Sequence, residues 1–362
     1  MEKFSVIGLM SGTSGDGLDI AHCSFTRDSF WSFELLKCQT ITFPLDLEKD
    51  LMKAHLLSSI ELQLLDVRLG KWMGMAVKEF CADLPEKPMA VCSHGHTVFH
   101  QPEKGLSLQI GNGYWLAQKS EIPVLNDFRM KDISLGGQGA PLVPIGDRLL
   151  FSDYDFCLNL GGISNISMEV KGERKAFDCT PFNGLFNHFA QKLGAAYDDN
   201  GKWAAEGQVN PGLLDELNSL PYYQKSGAKS LGREDLQADF LPILERSKIP
   251  TKNLLATLSA HFAFQIAKII RTSQSSVDSK VLITGGGAYH QTFIRDLKKE
   301  LHSQTEIVIP KRELIEFKEA LIFGFLGVLK MCEENNCLAS VTGAREDSSG
   351  GTWYDYRPSQ GR

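Results

Sequence analysis

GLMSGTSGDGLD, residues 8–19, ends one apolar run, FSVIGLM (4–10), in glycine, serine, threonine and aspartate before a second run, LDIAHCSF (18–25), resumes. Two later segments share the design, LNLGGISN (158–165) and VLITGGG (281–287). Each is a short strand-like run that stops at small residues. Glycine lets the backbone take positive φ and approach a ligand closely, and several free N–H groups in such a turn form a concave anion site. One such turn is no more than a plain hairpin needs. Three, each closing a core strand, point to phosphate binding. The loops are neither a P-loop nor a dinucleotide fingerprint, because no G-x-x-x-x-G-K-[ST] occurs and no G-x-G-x-x-G leads a strand into a helix. Asp16 and Asp19 stand beside Ser11, Thr13 and Ser14. Carboxylates there would repel a nucleotide unless Mg²⁺, a hard cation with oxygen ligands, lay between them and the phosphates. Asp16-Gly17 also reads simply as a turn.

Outward from these loops the chain alternates strands and helices, as a mixed α/β protein does. Residues 30–42 read as a third strand. Leu64, Leu65, Leu69, Trp72, Met73, Ala76 and Phe80 fall at helical spacing. MAVCS, SLQIG and IPVLND read as further strands. ISLGGQGAPLVP (133–144) is the best hinge or ligand loop. A second cycle follows. YDFCLNLGG and ISNISMEV pair around Gly161-Gly162, KAFD (175–178) ends a third strand, and helices at 254–270 and 313–331 flank KVLITGGG. Each half starts with strand, glycine loop, strand, which suggests a duplication of element order without a sequence repeat. The polar residues from Thr342 onward are expected to wrap the surface or fray.

At 362 residues the length suits about two domains. With 43% hydrophobic and 23% charged residues the composition is globular, which excludes a disordered chain or a disulfide-stapled miniprotein. The net charge is −6, and no Lys/Arg run exceeds two residues, which argues against nucleic acid as a main partner. The eight cysteines contain no C-x-x-C and fit a reducing compartment. The longest apolar stretch, Ala320–Leu329, is half of the ~20 residues that span a bilayer, and no cleavage site follows the first apolar run. A soluble cytoplasmic protein without membrane association is expected.

Other segments carry chemistry. SHGHTVFH (93–100) groups His94, His96 and His100 without a completing metal ligand, so a polar ligand loop including Thr97 is the better reading. Arg129 in NDFRMKD suits carboxylate or phosphate oxygens, or an ion pair with Asp127 or Asp132. Asp178, before CTPFN, sits where a general base would, or where a helix N-cap would. Glu319 lies in an apolar helix, where a lone acid usually faces solvent.

GLMSGTSGDGLD resembles the signature of the anhydro-N-acetylmuramic acid kinases. The resemblance extends in order through SHGHTVFHQP, LQIGNG, NDFRMKDISLGGQGAPLVP, LNLGGISNIS, FDCTPFN, KSLGRE, ITGGGAYH, the Glu319 helix and SVTGA, spanning Gly8 to Ala344. It implies the two-lobed, duplicated ribonuclease H-like fold shared by sugar kinases, actin and Hsp70-type chaperones, with a nucleotide cleft between lobes. The lobes would be 1–131, with 340–362 returning to it, and 132–339. The implied reaction turns 1,6-anhydro-N-acetylmuramic acid, water and ATP into N-acetylmuramic acid 6-phosphate and ADP, in cell-wall recycling, with Mg²⁺ at Asp16. Asp178 falls on the catalytic base. Thr97, Arg129, Glu319 and Asn183 fall on sugar-contacting positions. Gly12, Thr13, Ser14, Gly15, Asp16, Gly17, Leu18 and Asp19 form the first ATP loop. Gly161 and Gly162 form the second phosphate turn, and Gly285, Gly286 and Gly287 the adenosine turn. The resemblance also implies a homodimer.

The chain departs from the family pattern at several points. Asp178-Cys179-Thr180-Pro181-Phe182-Asn183 stands for D-T-G-P-G-N, with a bulky Phe182 where glycine would let backbone approach a ligand. His96 replaces Gln, His290 replaces Asn, and NDFRMKD keeps only the first of a set of arginines. Two other readings stay open: a kinase of this fold for another sugar, and a non-catalytic nucleotide-gated binding module. Fold alone does not decide function.

Overall fold

The computed structural model describes residues 1–12, 17–225, 227, 229–273 and 278–356. The chain divides into two compact units, Met1–Leu150 with Phe317–Arg362, and Phe151–Glu316.

In the first unit β1 (Glu2–Ser11), β2 (Leu18–Arg27) and β3 (Trp31–Ile41) form an antiparallel meander. β4 (Ala90–Ser93) lies parallel to β1, and β7 (Val124–Asn126) lies parallel to β4. β5 (His96–Gln101) and β6 (Leu106–Ile110) make a separate hairpin. Val6, Ile7 and Leu9 of β1 are fully buried, as a strand covered on both faces must be. The helix Ser59–Phe80 begins with a capping box, in which the Ser58 backbone N–H donates to Glu61 Oε2 at 2.9 Å. Its apolar face (Leu65, Leu69, Met73, Val77) joins the core with Ile7 and Leu9. The helix Arg312–Met331 presses on the sheet. A Cβ on Gly8 would strike the Ala320 carbonyl, and Gly324 sits over Val6, Gly8 and Phe25.

The second unit repeats the plan. β8 (Phe156–Leu160), β9 (Ile163–Val170) and β10 (Glu173–Pro181) form the meander, and β11 (Lys280–Thr284) and β12 (Glu306–Val308) add in parallel. The strand orders are β13-β7-β4-β1-β2-β3 and β10-β9-β8-β11-β12, with β13 (Thr352–Tyr354) as the extra edge of the first. Each sheet therefore reads third, second, first, fourth, fifth, and the expected duplication is present. Among the described residues one helix, Thr251–Ser273, is long and apolar enough to cross a membrane, but Leu255, Leu258, Phe262 and Ile266 are fully buried in this unit's core.

Two expectations are corrected. The units divide after Leu150 and Glu316, not after 131 and 339. The second half of Arg312–Met331 packs on β1, and Gly146 in Val143–Leu150 packs on Ile322 of that helix, which keeps both segments in the first unit. The run 133–144 accordingly lies inside that unit and is no hinge between the two. Of the two courses expected for the residues from Thr342 onward, packing on the first unit rather than fraying holds as far as 356. Trp353 pairs with Leu125 as part of β13, and Asn336 bridges Leu326 and Gly350 by hydrogen bonds of 3.0 and 2.9 Å.

Candidate active site

In the first unit, β1 ends at Ser11 and β2 starts at Leu18. Thr13, Ser14, Gly15 and Asp16 lie outside the described residues, and Gly12 and Gly17 flank them. Leu18 is fully buried, so only its main chain is offered to a ligand. Ser11 is buried and its hydroxyl meets His96 Nδ1 at 3.0 Å. Burial holds the His96 imidazole toward its neutral form, so the histidine that stands for glutamine still serves as a neutral polar partner at the loop's root.

Asp19 Oδ1 accepts from the Thr40 hydroxyl at 2.6 Å. Solvent reaches the Glu319 side chain, as expected for a lone acid. Protein nevertheless crowds around it, and that desolvation, together with the Asp19 charge, raises its carboxyl above the usual range.

Thr97 lies on β5 beside a bulge. Its hydroxyl oxygen accepts from Gln109 Nε2 at 3.2 Å, which leaves the O–H to donate. Arg129 makes neither proposed ion pair. Its Nη1 donates to the Gly139 carbonyl and its Nη2 to His94 Nε2, both at 2.7 Å. His94 Nδ1 lies 2.9 Å from the Gly95 carbonyl. That contact puts the proton on Nδ1 and leaves Nε2 as acceptor. Burial pushes the His94 pKa down to about 3, so the imidazole is neutral. Arg129 is thus fixed by two neutral acceptors while its Nε is buried without a partner. Desolvation lowers its pKa to about 10, which still leaves it cationic. Of the other histidines in SHGHTVFH, His96 meets Ser11 and His100 Nδ1 meets the Ser107 hydroxyl at 3.0 Å. Among the described residues no group of three or more His, Cys, Asp or Glu could hold a metal ion.

In the second unit, Gly161 and Gly162 turn β8 into β9. Their carbonyls accept from the N–H groups of Asn183 and of Phe182 and Gly184 at 2.9–3.1 Å. The Asn183 side chain donates to the Leu160 carbonyl at 3.2 Å, and a Cβ on Gly286 would lie 3.8 Å from its Nδ2. Asn183 therefore sits where the second and third glycine turns converge. Gly285 adopts φ +80°, and a Cβ there would come within 2.6 Å of Asn159 Oδ1, so only glycine lets β11 turn so close to β8. Phe182 is fully buried and stacks edge-on against Phe186 and Phe293. Its ring fills the space beneath Gly287. The bulky residue that departs from the family pattern thus points into the core and leaves the turn's outer face clear. His290 Nδ1 accepts from the Phe293 N–H at 3.1 Å as the N-cap of Gln291–Glu300, the task an asparagine would perform.

Asp178 is no helix cap. β10 continues to Pro181, and Phe182 is the residue that precedes Asn183–Gln191. The register slips between Asp178 and Thr180, and such a bulge re-aims a side chain. The Asp178 N–H donates to the Lys229 carbonyl at 3.0 Å, its own carbonyl accepts from Tyr222 O–H at 2.7 Å, and Oδ2 accepts from the Leu231 N–H at 2.9 Å. Burial raises its carboxyl, and the Leu231 hydrogen bond partly offsets the rise. A half-buried, oriented carboxylate with a raised pKa is suited to accept a proton. Tyr222 and Leu231 were not expected from the sequence, although Leu231 lies within the quoted KSLGRE.

A meander built twice, with glycines closing β8 and β11, is the architecture of the sugar kinase, actin and Hsp70 fold class. The sequence model of a family described as "Anhydro-N-acetylmuramic acid kinase" matches residues 4–356, and the chain belongs to that family. It is 34% identical over 339 residues to an anhydro-N-acetylmuramic acid kinase of Pseudomonas syringae pv. tomato, covering 89% of this chain and 91% of the relative. It is 35% identical over 363 residues to one of Pseudomonas fluorescens, covering 94% and 96%. Among solved structures it is similar to the activator of 2-hydroxyisocaproyl-CoA dehydratase from Clostridium difficile with bound ADPNP, at 11% identity and a TM-score of 0.45, over 91% of this chain and 97% of that one.

Proposed function

We propose that this kinase converts 1,6-anhydro-N-acetylmuramic acid, water and ATP to N-acetylmuramic acid 6-phosphate and ADP, a step of cell-wall recycling. The setting of Asp178 carries the reading. Its carboxylate is oriented by Leu231, and burial makes it more basic than a free one. Asp178 takes a proton from water as the water oxygen bonds to C1. The C1–O6 bond breaks, and O6 takes the γ-phosphoryl group, leaving ADP.

Thr97 donates its free O–H to the sugar. Arg129 keeps its full positive charge against neutral acceptors and pairs with the lactyl carboxylate, which its planar fork suits. Glu319 and Asn183 complete the sugar contacts. The glycine turns, Gly12–Asp19 with Gly161–Gly162 and Gly285–Gly287, meet the nucleotide through backbone N–H groups. Mg²⁺ suits the oxygen donors of the first loop, where Asp16 and Asp19 stand beside Ser11. Asp16 would hold it, directly or through water. When bound, it neutralises charge on the phosphates. Eight free cysteines support a reducing, cytoplasmic setting.

The test is incubation with Mg·ATP and the anhydro-sugar in ¹⁸O-water, read by mass spectrometry. The expected product is the 6-phosphate with label on the C1 hydroxyl. Absence of product from protein that binds ATP overturns the reading, and label confined to phosphate overturns ring opening by water.

A further inference from the structure

Two stretches singled out in the sequence, GGQGAPLVP (136–144) and SVTGA (340–344), have no role in the chemistry above, yet they meet around one carboxylate. Asp132 is 1% exposed. Its Oδ1 accepts from the Thr342 hydroxyl at 2.7 Å and from Cys337 Sγ–H at 3.1 Å. Its Oδ2 accepts from the Gly139 N–H at 2.7 Å. The Gly139 carbonyl in turn receives Arg129 Nη1. Main-chain bonds back the arrangement, with the Gln138 N–H donating to the Thr342 carbonyl at 2.9 Å and the Arg345 N–H to the Leu135 carbonyl at 3.2 Å.

We propose that Asp132 and Thr342 are positioning residues for Arg129, acting through Gly139. This rests on Arg129 being a sugar contact. A buried carboxylate needs its hydrogen bonds, and here Thr342 and Cys337 hold Oδ1 while Oδ2 anchors the Gly139 N–H, whose residue offers its carbonyl to Arg129. That carbonyl and His94 are the two supports that set the plane of the guanidinium. Recognition of a carboxylate by a planar fork depends on its angle, so loosening one support weakens binding of the sugar without touching the phosphate loops. The C-terminal segment thereby acts on sugar binding through Gly139.

The test is steady-state kinetics on the full chain. Thr342→Val keeps the side-chain shape and removes the O–H. Loss of a hydrogen bond to a charged group should raise the sugar KM roughly tenfold, with kcat and the KM for ATP unchanged. Thr342→Ser should restore the native value. In an Arg129→Ala background Thr342→Val should add nothing, because the two act as one unit. Asp132→Asn, with one acceptor oxygen for three donors, should behave in the same way and replaces Thr342→Val if that variant fails to fold. An equal rise in the Arg129→Ala background overturns the proposal. So does an unchanged sugar KM in Thr342→Val while Arg129→Ala raises it. If Arg129→Ala itself leaves the sugar KM unchanged, the assignment of Arg129 is what falls.

Discussion

Leu231 donates its backbone N–H to the Asp178 carboxylate at 2.9 Å, from a segment 53 residues further along the chain. The bond engages one carboxylate oxygen, and Tyr222 holds the backbone carbonyl of the same residue. The Asp178 carboxylate is thus oriented by groups outside its own strand.

Asp178→Asn should lower kcat by about 10²–10⁴, the usual worth of a general base, and leave ATP affinity unchanged in calorimetry. The pH profile of the native enzyme carries the sign. Burial raises the carboxyl, so the basic form is lost as pH falls through a value above the ~3.9 of a free aspartate. An acid limb centred at or below that value would contradict the buried setting.

Glu319→Gln should raise the sugar KM while making the protein more stable near pH 7. The folded-state carboxyl is raised, so the native chain holds this proton more tightly than the unfolded one. Stability is therefore lost as pH rises from the unfolded value, ~4.3, through the folded one. Glutamine carries no such penalty. Melting temperatures measured from pH 4 to 8 should diverge as pH rises and coincide at the acid end.

Lys318 and Asp147 form an ion pair of 2.7 Å with both side chains buried. Lys318→Met removes a cationic partner from the buried Asp147 carboxylate and should cost about 3–5 kcal/mol in urea unfolding. Lys318→Met with Asp147→Leu should cost less than Lys318→Met alone. A double variant as damaged as the single one would show that packing, not charge, governs this contact.

Phe182→Ala should cost about 3–5 kcal/mol, the range for emptying a packed aromatic site, because the ring is fully buried among Phe186, Phe262 and Phe293. If Phe182 instead faced a ligand, the variant would be nearly as stable as the native chain and would change the sugar KM.

Much of the architecture was readable from local signals. The apolar runs closed by glycines became β1, β8 and β11, and the periodicity from Leu64 to Phe80 became the helix Ser59–Phe80. The unit boundaries were not readable, because they depend on where Arg312–Met331 packs. A helix looks the same in sequence whichever sheet it covers. Arg129 illustrates the limit at the site. Its nearest charges in sequence, Asp127 and Asp132, suggested ion pairs, whereas the fold brings His94 and Gly139 to it. Tyr222 and Leu231 were missed because a phenol and a backbone N–H acquire their role only through the bulge after Asp178. Phe182 looked like an obstruction at the loop until its rotamer turned it inward.

The seam of glycines under Arg312–Met331 has a consequence for how this protein can change. Gly8 and Gly324 let backbone lie on backbone, and Gly327 makes room for the Cys92 side chain. Glu319 rides on that helix, a few residues from the point of closest approach. A methyl group added at Gly8 meets the Ala320 carbonyl, so it lifts the rod off the sheet and shifts the acid with it. Rigidity and acid placement are inherited together here, so the usual route to a hardier protein, filling interior space, is closed along this line.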